Sequence, residues 1–458
     1  MVRDMTHGSP LRLILGFALP MAIGNIFQQF YSMADTIVVG KFIGVDALAS
    51  VGSTGSLNFL ILGFVLGVCN GFAIPISQCF GAGDLKGMRR CVANSIYLGI
   101  GIAVIFTLVT LLFTRQFLTW MKTPQDIFEG AYDYIIVIFG GMFSMMLFNL
   151  LSGFMRALGD SRTPLLFLVI SSITNIVLDL VFILVFHSGV AGAAWATVIS
   201  QGLSGVLCLG FIARKVPMLH LTREDMKLDM MVVVRLLRNG IPMALQFSIT
   251  AVGSIILQTA VNTLGSTVVA AITAGDKVQS LVTQPMDSLG ATSATYCGQN
   301  LGAERIDRIH AGFRRFVAVA VIYSLFAAFV VIFFGTKIAL LFLSGSETTI
   351  LGYVHQYLLF DGLFFIPLSF IYIFRNGLQG MGLGLSAMLA GICELVARAS
   401  VAFTLVPMLG YLGACISNPA AWVAADLLLI PMYFYVMRKL NARYKDRKAA
   451  QPASSHGV

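Results

Sequence analysis

The stretch 214-RKVPMLHLTREDMKLDMMVVVRLLRNG-240 is the longest polar interruption in a chain of 458 residues that is 57% hydrophobic and only 11% charged. With a mean hydropathy of +0.86, that balance excludes a soluble domain of this size and marks a polytopic membrane protein. Apolar windows long enough for a hydrocarbon core of about 30 Å recur on both sides of the interruption. They are expected at 13–38, 47–76, 90–113, 131–155, 163–186 and 190–213 before it, and at 236–262, 267–295, 313–335, 350–376, 383–406 and 412–437 after it. The interruption therefore divides twelve spans six and six.

The two halves also resemble each other. The first opens with 13-LILGFALPMA-22 and the second with 235-RLLRNGIPMA-244, which pairs Pro20 with Pro242. One helix later 78-QCFGAG-83 faces 299-QNLGAE-304, and at the end of each fourth span 156-RALGD-160 faces 379-QGMGL-383. Three landmarks hold register to within a residue or two. An even number of spans per half, both starting on the same side, makes a parallel repeat about an axis near the membrane normal. The expected organisation is an amino-terminal six-helix lobe over 10–213, an inter-lobe loop over 214–235, a second six-helix lobe over 236–440 and a tail over 441–458. Two such bundles leave a cleft between them, and alternating access is its natural use.

Basic residues set the orientation. The side of the termini collects Arg3, Arg12, Lys86, Arg89, Arg90, Arg156, Arg162, the inter-lobe loop, Arg305 to Arg315, Arg375 and the tail, whereas the opposite loops hold only Lys41, Arg115, Lys122 and Lys337. Both termini are thus expected in the cytoplasm. The net charge of +9 is mostly this topology signal, and no soluble basic surface suggests a nucleic-acid partner. The polar start of the chain gives no sign of a cleavable signal peptide. The seven cysteines are expected as free thiols packed as small hydrophobes.

Seven of the carboxylates inside the spans stand out: Asp35, Asp179, Asp276, Asp287, Asp361, Glu394 and Asp426. Such groups are costly in lipid and face a cavity, a partner or an ion. Asp35 and Asp179 lie at comparable depth in the first half, and Asn175 stands four residues before Asp179, where its amide can donate to the carboxylate or share an ion with it. Two carboxylates in a poorly hydrated site hold a proton more tightly than one alone, as a proton-coupled carrier requires. Sodium at Asp35 and Asp179 is the other reading, and hydrogen-bonded acids that merely tie helices together are a third. Pro20, 15 residues before Asp35, can bend that helix and move the acid. In the second half Glu394 and Arg398 are an i,i+4 ion pair, while Asp361 could meet Lys277 or a cationic substrate in a cavity to which Gln246 also contributes. The run 142-MFSMMLF-148 suits a pocket for flat organic ions.

Together, 20-PMAIGNIFQQFYSMADTIVVGKFIG-44, 78-QCFGAGD-84, 153-GFMRALGDSRTP-164, 175-NIVLD-179 and the internal repeat resemble the multidrug and toxic compound extrusion (MATE) family over residues 10 to 440, in particular its bacterial DNA-damage-inducible-protein-like branch. The resemblance implies an all-α protein of twelve helices in two lobes, and an antiporter that expels cationic or amphiphilic compounds while protons or sodium ions enter across the bacterial inner membrane. It implies coupling roles for Asp35, Asn175, Asp179, Thr197 and Asn149, and a hinge at Pro20. The sequence departs from another branch, which places a glutamate eight residues after the proline matching Pro242: Thr250 stands there, and Asp361 lies out of register with that branch's helix 10 aspartate. The departure favours the amino-terminal cluster. A specific metabolite or a lipid-linked oligosaccharide is the alternative cargo. No H-E-x-x-H or Walker motif suggests an enzyme or an ATP-driven pump, no cofactor beyond the coupling ion is expected, and two fused lobes make a monomer sufficient.

Overall fold

The computed structural model describes residues 2–341 and 348–450, and among them it is helical with short connections. The first half comprises α1 (Pro10–Phe42), α2 (Val45–Ser53), α3 (Gly55–Gly81), α4 (Leu85–Trp120), α5 (Phe128–Gly140), α6 (Met142–Ala157), α7 (Arg162–Leu180) and α8 (Gly189–Lys215). The second comprises α9 (Met230–Asn262), α10 (Ser266–Gly302), α11 (Ile306–Ala339), α12 (Thr348–Leu363), α13 (Phe365–Gly380), α14 (Gly384–Phe403), α15 (Leu405–Leu409) and α16 (Tyr411–Ala450). Counting α2 with α3, α5 with α6, α12 with α13 and α14 with α15 gives the twelve expected spans. Nine described helices are long and apolar enough to cross a membrane singly, and two bent pairs bring the number to eleven. The twelfth is α10, whose Asp276, Lys277, Gln279, Gln284 and Asp287 dilute its hydropathy. It packs against α1, α3, α11, α12 and α13, and such a polar helix is tolerated where neighbours cover it. Of the expected tail, residues 441–450 continue α16, and 451–458 lie outside the described residues.

Local chemistry sets the helix starts. Asp84 accepts from the Gly87 amide at 2.8 Å to begin α4, and Asp229 accepts from Met231 at 3.0 Å and Val232 at 3.4 Å to begin α9. At α7 the Asp160 carboxylate takes the amides of Arg162 and Thr163 at 3.0 and 3.1 Å and the Thr163 hydroxyl at 2.7 Å. Each supplies an acceptor to helix amides that lack one.

The repeat is visible in the backbone. Positive φ occurs at Gly44 and Gly265, at Gly159 and Gly382, and at Gly189 and Gly410, corresponding places in the two halves. The fourth span of each half is bent, by 47° between α5 and α6 and by 51° between α12 and α13. By contrast α1 runs unbroken through Pro20.

The halves close on each other at the end that carries the termini. Gly67 and Gly71 of α3 lie against the backbone of Ala244 and Gly240 in α9, where an added Cβ would overlap it. Gly81 meets the Gln299 carbonyl and, reciprocally, Gly302 meets the Gln78 carbonyl. Around this contact Gln78 donates to the Gly380 carbonyl at 3.0 Å, and Gln299 donates to the Ala157 carbonyl at 2.8 Å. The Q-x-x-G-A motif found twice in the sequence is therefore the seal between the halves, each copy binding the end of the other half's fourth span. The amino-terminal segment crosses it: the Arg3 amide donates to Leu158 at 2.9 Å, and the Met5 amide donates to the Gln299 side chain at 2.8 Å.

Candidate functional site: an acid cluster beside a central cleft

Within the first half α1 carries Asp35, α7 carries Asn175 and Asp179, and α8 carries Thr197. Asn175 and Asp179 are fully buried. The expected amide bond to Asp179 is not made: Asn175 Nδ2 donates to Thr197 Oγ1 at 3.3 Å, while Thr197 donates to the Ala193 carbonyl of its own helix at 3.1 Å. The Asp35 and Asp179 carboxyl groups are close neighbours. Asp35 Oδ1, Asn175 Oδ1 and both carboxylate oxygens of Asp179 are buried without a donor. Four oxygens in this state suit one positively charged guest, a proton shared between the acids or a hard cation held by oxygen alone. A turn of π-helix, Val181–Val185, follows Asp179 directly. Tyr31 and Tyr134 lie close enough to feel the charge of both acids. The sequence carried a signal for Tyr31, four residues before Asp35 on one helix face; Tyr134 had none. Asn149, expected with the cluster, instead bonds the Met145 carbonyl at 2.8 Å and faces the cleft.

That cleft lies between the halves and measures about 620 Å³. The bent spans α6 and α13 face it, with Met145, Phe148, Asn149 and Arg156 from one half and Tyr372, Arg375 and Gln379 from the other. Gln28, Gln246, Thr250, Asp287, Glu394 and Arg398 belong to its polar lining. Gln379 donates to Gln246 Oε1 at 3.0 Å. Arg156 and Arg375, which the sequence assigned to the terminal side, stand in this wall. Glu394 pairs with Arg375 across helices at 3.1 Å, closer than the expected i,i+4 partner Arg398 at 3.9 Å. Asp35 and Asp179 are absent from the lining, so the acid cluster lies outside the cleft wall.

The second-half expectation needs correction. Gln246 lines the cleft, but Asp361 and Lys277 do not. Asp361 is fully buried, with Asn418 Nδ2 at 3.5 Å. Asn418 also donates to Tyr357 Oη at 2.8 Å, and Tyr357 donates to Asp276. Among the described residues Lys277 forms no ion pair and its side chain is exposed. Asp276 and Lys277 are consecutive on α10 and diverge by about 100° around the axis, which puts Lys277 off the face where Asp276 meets Tyr357. Among the described residues no group of three or more His, Cys, Asp or Glu could hold a metal ion.

A bundle of twelve helices in two repeated halves, sealed at one end around a central cleft and holding buried ionisable groups, is the architecture of a membrane transporter. The MatE family model matches residues 20–181 and 242–404, one match in each half, and the chain belongs to that family of transporters. Among its relatives, a probable multidrug resistance protein, YpnP, of Bacillus subtilis (strain 168) is 29% identical, covering 67% of this chain and 68% of its own. Another from the same organism, YoeA, is 28% identical over 92% of this chain and 93% of its own. A solved structure described as the outward-facing conformation of a multidrug resistance MATE family transporter has a TM-score of 0.90 at 24% identity, covering 95% of this chain and 98% of the other. The likeness in fold spans both halves of the chain.

Proposed function

We propose that the protein is a secondary active antiporter of the bacterial inner membrane, with cytoplasmic termini, that exports cationic or amphiphilic organic compounds in exchange for inward proton or sodium flow. The carrying observation is the donor-free set of buried oxygens at Asp35, Asn175 and Asp179, set apart from the cleft. A site poor in donors favours a cation, and a cleft lined by aromatic and polar side chains favours an organic molecule. Both touch α1, which supplies Asp35 to one and Met21, Asn25 and Gln28 to the other. In this reading an ion entering the cluster shifts α1 about Pro20, lowers the affinity of the cleft and releases cargo outward, and the carrier returns with its ion. Linkage requires the reverse effect of cargo on the ion.

The test is uptake of a fluorescent cationic dye into proteoliposomes, with proton and sodium gradients imposed separately, for the native protein and Asp35→Asn. Gradient-driven flux that drops at least about tenfold in the variant supports the reading. Undiminished flux at matched incorporation overturns the role of the cluster, and flux indifferent to both gradients overturns antiport.

A further inference from the structure

We infer that the cleft contains an anion subsite formed by Arg156, Arg375 and Arg398, and that the preferred cargo is a flat amphiphile bearing a carboxylate or sulfonate. The inference rests on the transport reading and deepens it by naming a substrate class. Three guanidinium groups line the cavity against two carboxylates, Asp287 and Glu394. With all five ionised the lining carries one positive charge in excess.

The acids are, moreover, already engaged. Glu394 serves both Arg375 and Arg398, at 3.1 and 3.9 Å. Asp287 accepts from Asn25 Nδ2 at 3.4 Å. On the opposite wall Arg156 donates to a neutral acceptor, Asn70 Oδ1, at 3.1 Å, and among the described residues it forms no ion pair. Arg398 is only 8% exposed, and its Nε and Nη1 have no acceptor. Buried guanidinium N–H groups without acceptors are unfavourable, and their planar fork matches a two-oxygen anion. Phe148, Phe247, Tyr372 and Trp422 line the same cavity and supply aromatic faces for the body of such a molecule. A structural role for the arginines accounts for Arg375, which has Glu394; it does not account for the open nitrogens of Arg398 or for Arg156.

The experiment uses two dyes that share one xanthylium ring system: rhodamine 110, which has a free carboxylate, and rhodamine 123, its methyl ester. Their affinity for the detergent-purified full chain is read by fluorescence anisotropy, which needs no gradient and so stands apart from the antiport test. The native protein is expected to bind the acid about tenfold more tightly than the ester. Arg156→Gln and Arg398→Gln, measured separately, are each expected to bring the ratio of the two dissociation constants close to one. Arg214→Gln, an exposed residue at the end of α8, is expected to keep the native ratio and so controls for net charge. Retention of either dye by a variant shows that it is folded. Equal or weaker binding of the acid by the native protein, no binding of it at all, or a native ratio retained by both cleft variants overturns the subsite.

Discussion

At the scale of the residue, the acid cluster depends on neighbours that hold no charge. Thr197 occupies the Asn175 amide and so turns its carbonyl oxygen toward the donor-free set. Thr197→Val leaves that amide buried without a partner, at a cost of about 1–3 kcal/mol. Gradient-driven flux should fall severalfold in this variant and be retained by Thr197→Ser, measured at equal incorporation in proteoliposomes. In the cleft, Glu394→Gln removes the counter-charge of two guanidinium groups at once, and breaking a buried pair this way costs about 3 kcal/mol. A lowered thermal unfolding midpoint of the purified protein checks it. Asp35, Asn175, Asp179 and Thr197 were legible in the sequence because an acid in an apolar run has few innocent explanations, or because the family likeness matched the position. Tyr134 was not, since tyrosine is common in membrane helices and nothing in its spacing links α5 to α7. Arg156 and Arg375 were read as topology markers, because a sequence shows that an arginine is near a span end but not that it stands in a cavity wall.

At the scale of the element, the seal formed by α3 and α10 requires glycine for close approach and not for unusual φ. Gly302→Ala places a methyl group against the Gln78 carbonyl, so the two helices must separate. Cys79, next to Gln78 and buried with only 6% exposure, reports the change. Its alkylation by a polar maleimide should quicken about tenfold in Gly302→Ala, followed by mass spectrometry of that cysteine, and an unchanged rate would contradict the seal. The linker between the halves has its own pin. Asp225 Oδ2 accepts from the Thr222 hydroxyl at 2.7 Å and its amide at 3.0 Å. Hydrogen bonds from the Thr222 hydroxyl, then from its amide, hold the carboxyl below its ordinary value of 3.8. A carboxyl depressed in the folded state stabilises fully above its unfolded pKa, and that support disappears as pH falls through the folded value. Amide exchange over residues 221–229 should therefore be steady from neutral pH down to about 4, after allowance for intrinsic rates, and lose protection below it. The twelve spans themselves were legible, but the helices run past the expected bounds, α10 from 295 to Gly302 and α16 from 437 to Ala450. The breaks at Gly141 and Phe364 were not, because α5–α6 and α12–α13 read as continuous apolar runs and only tertiary packing bends them.

At the scale of the whole molecule, the duplication that the sequence displays as matched motifs becomes a matched mechanism of closure, with Gln78 and Gln299 each reaching into the opposite half. The chemistry is not duplicated. The first half holds the donor-free oxygen cluster, whereas the second holds the chain Asp276–Tyr357–Asn418–Asp361, largely bonded to itself. Function on this account comes from asymmetric sites built on a symmetric frame, with α1 touching both the ion site and the cleft. That division makes a direct demand on Asp179, which contributes two of the four donor-free oxygens and lies outside the cleft lining. The decisive measurement is dye affinity and gradient-driven dye flux on one preparation of Asp179→Asn. An ion site outside the cleft wall entails an affinity within about twofold of the native protein and a flux reduced at least about tenfold. Affinity and flux lost together, or a native flux, would contradict a separate ion site that drives the cleft.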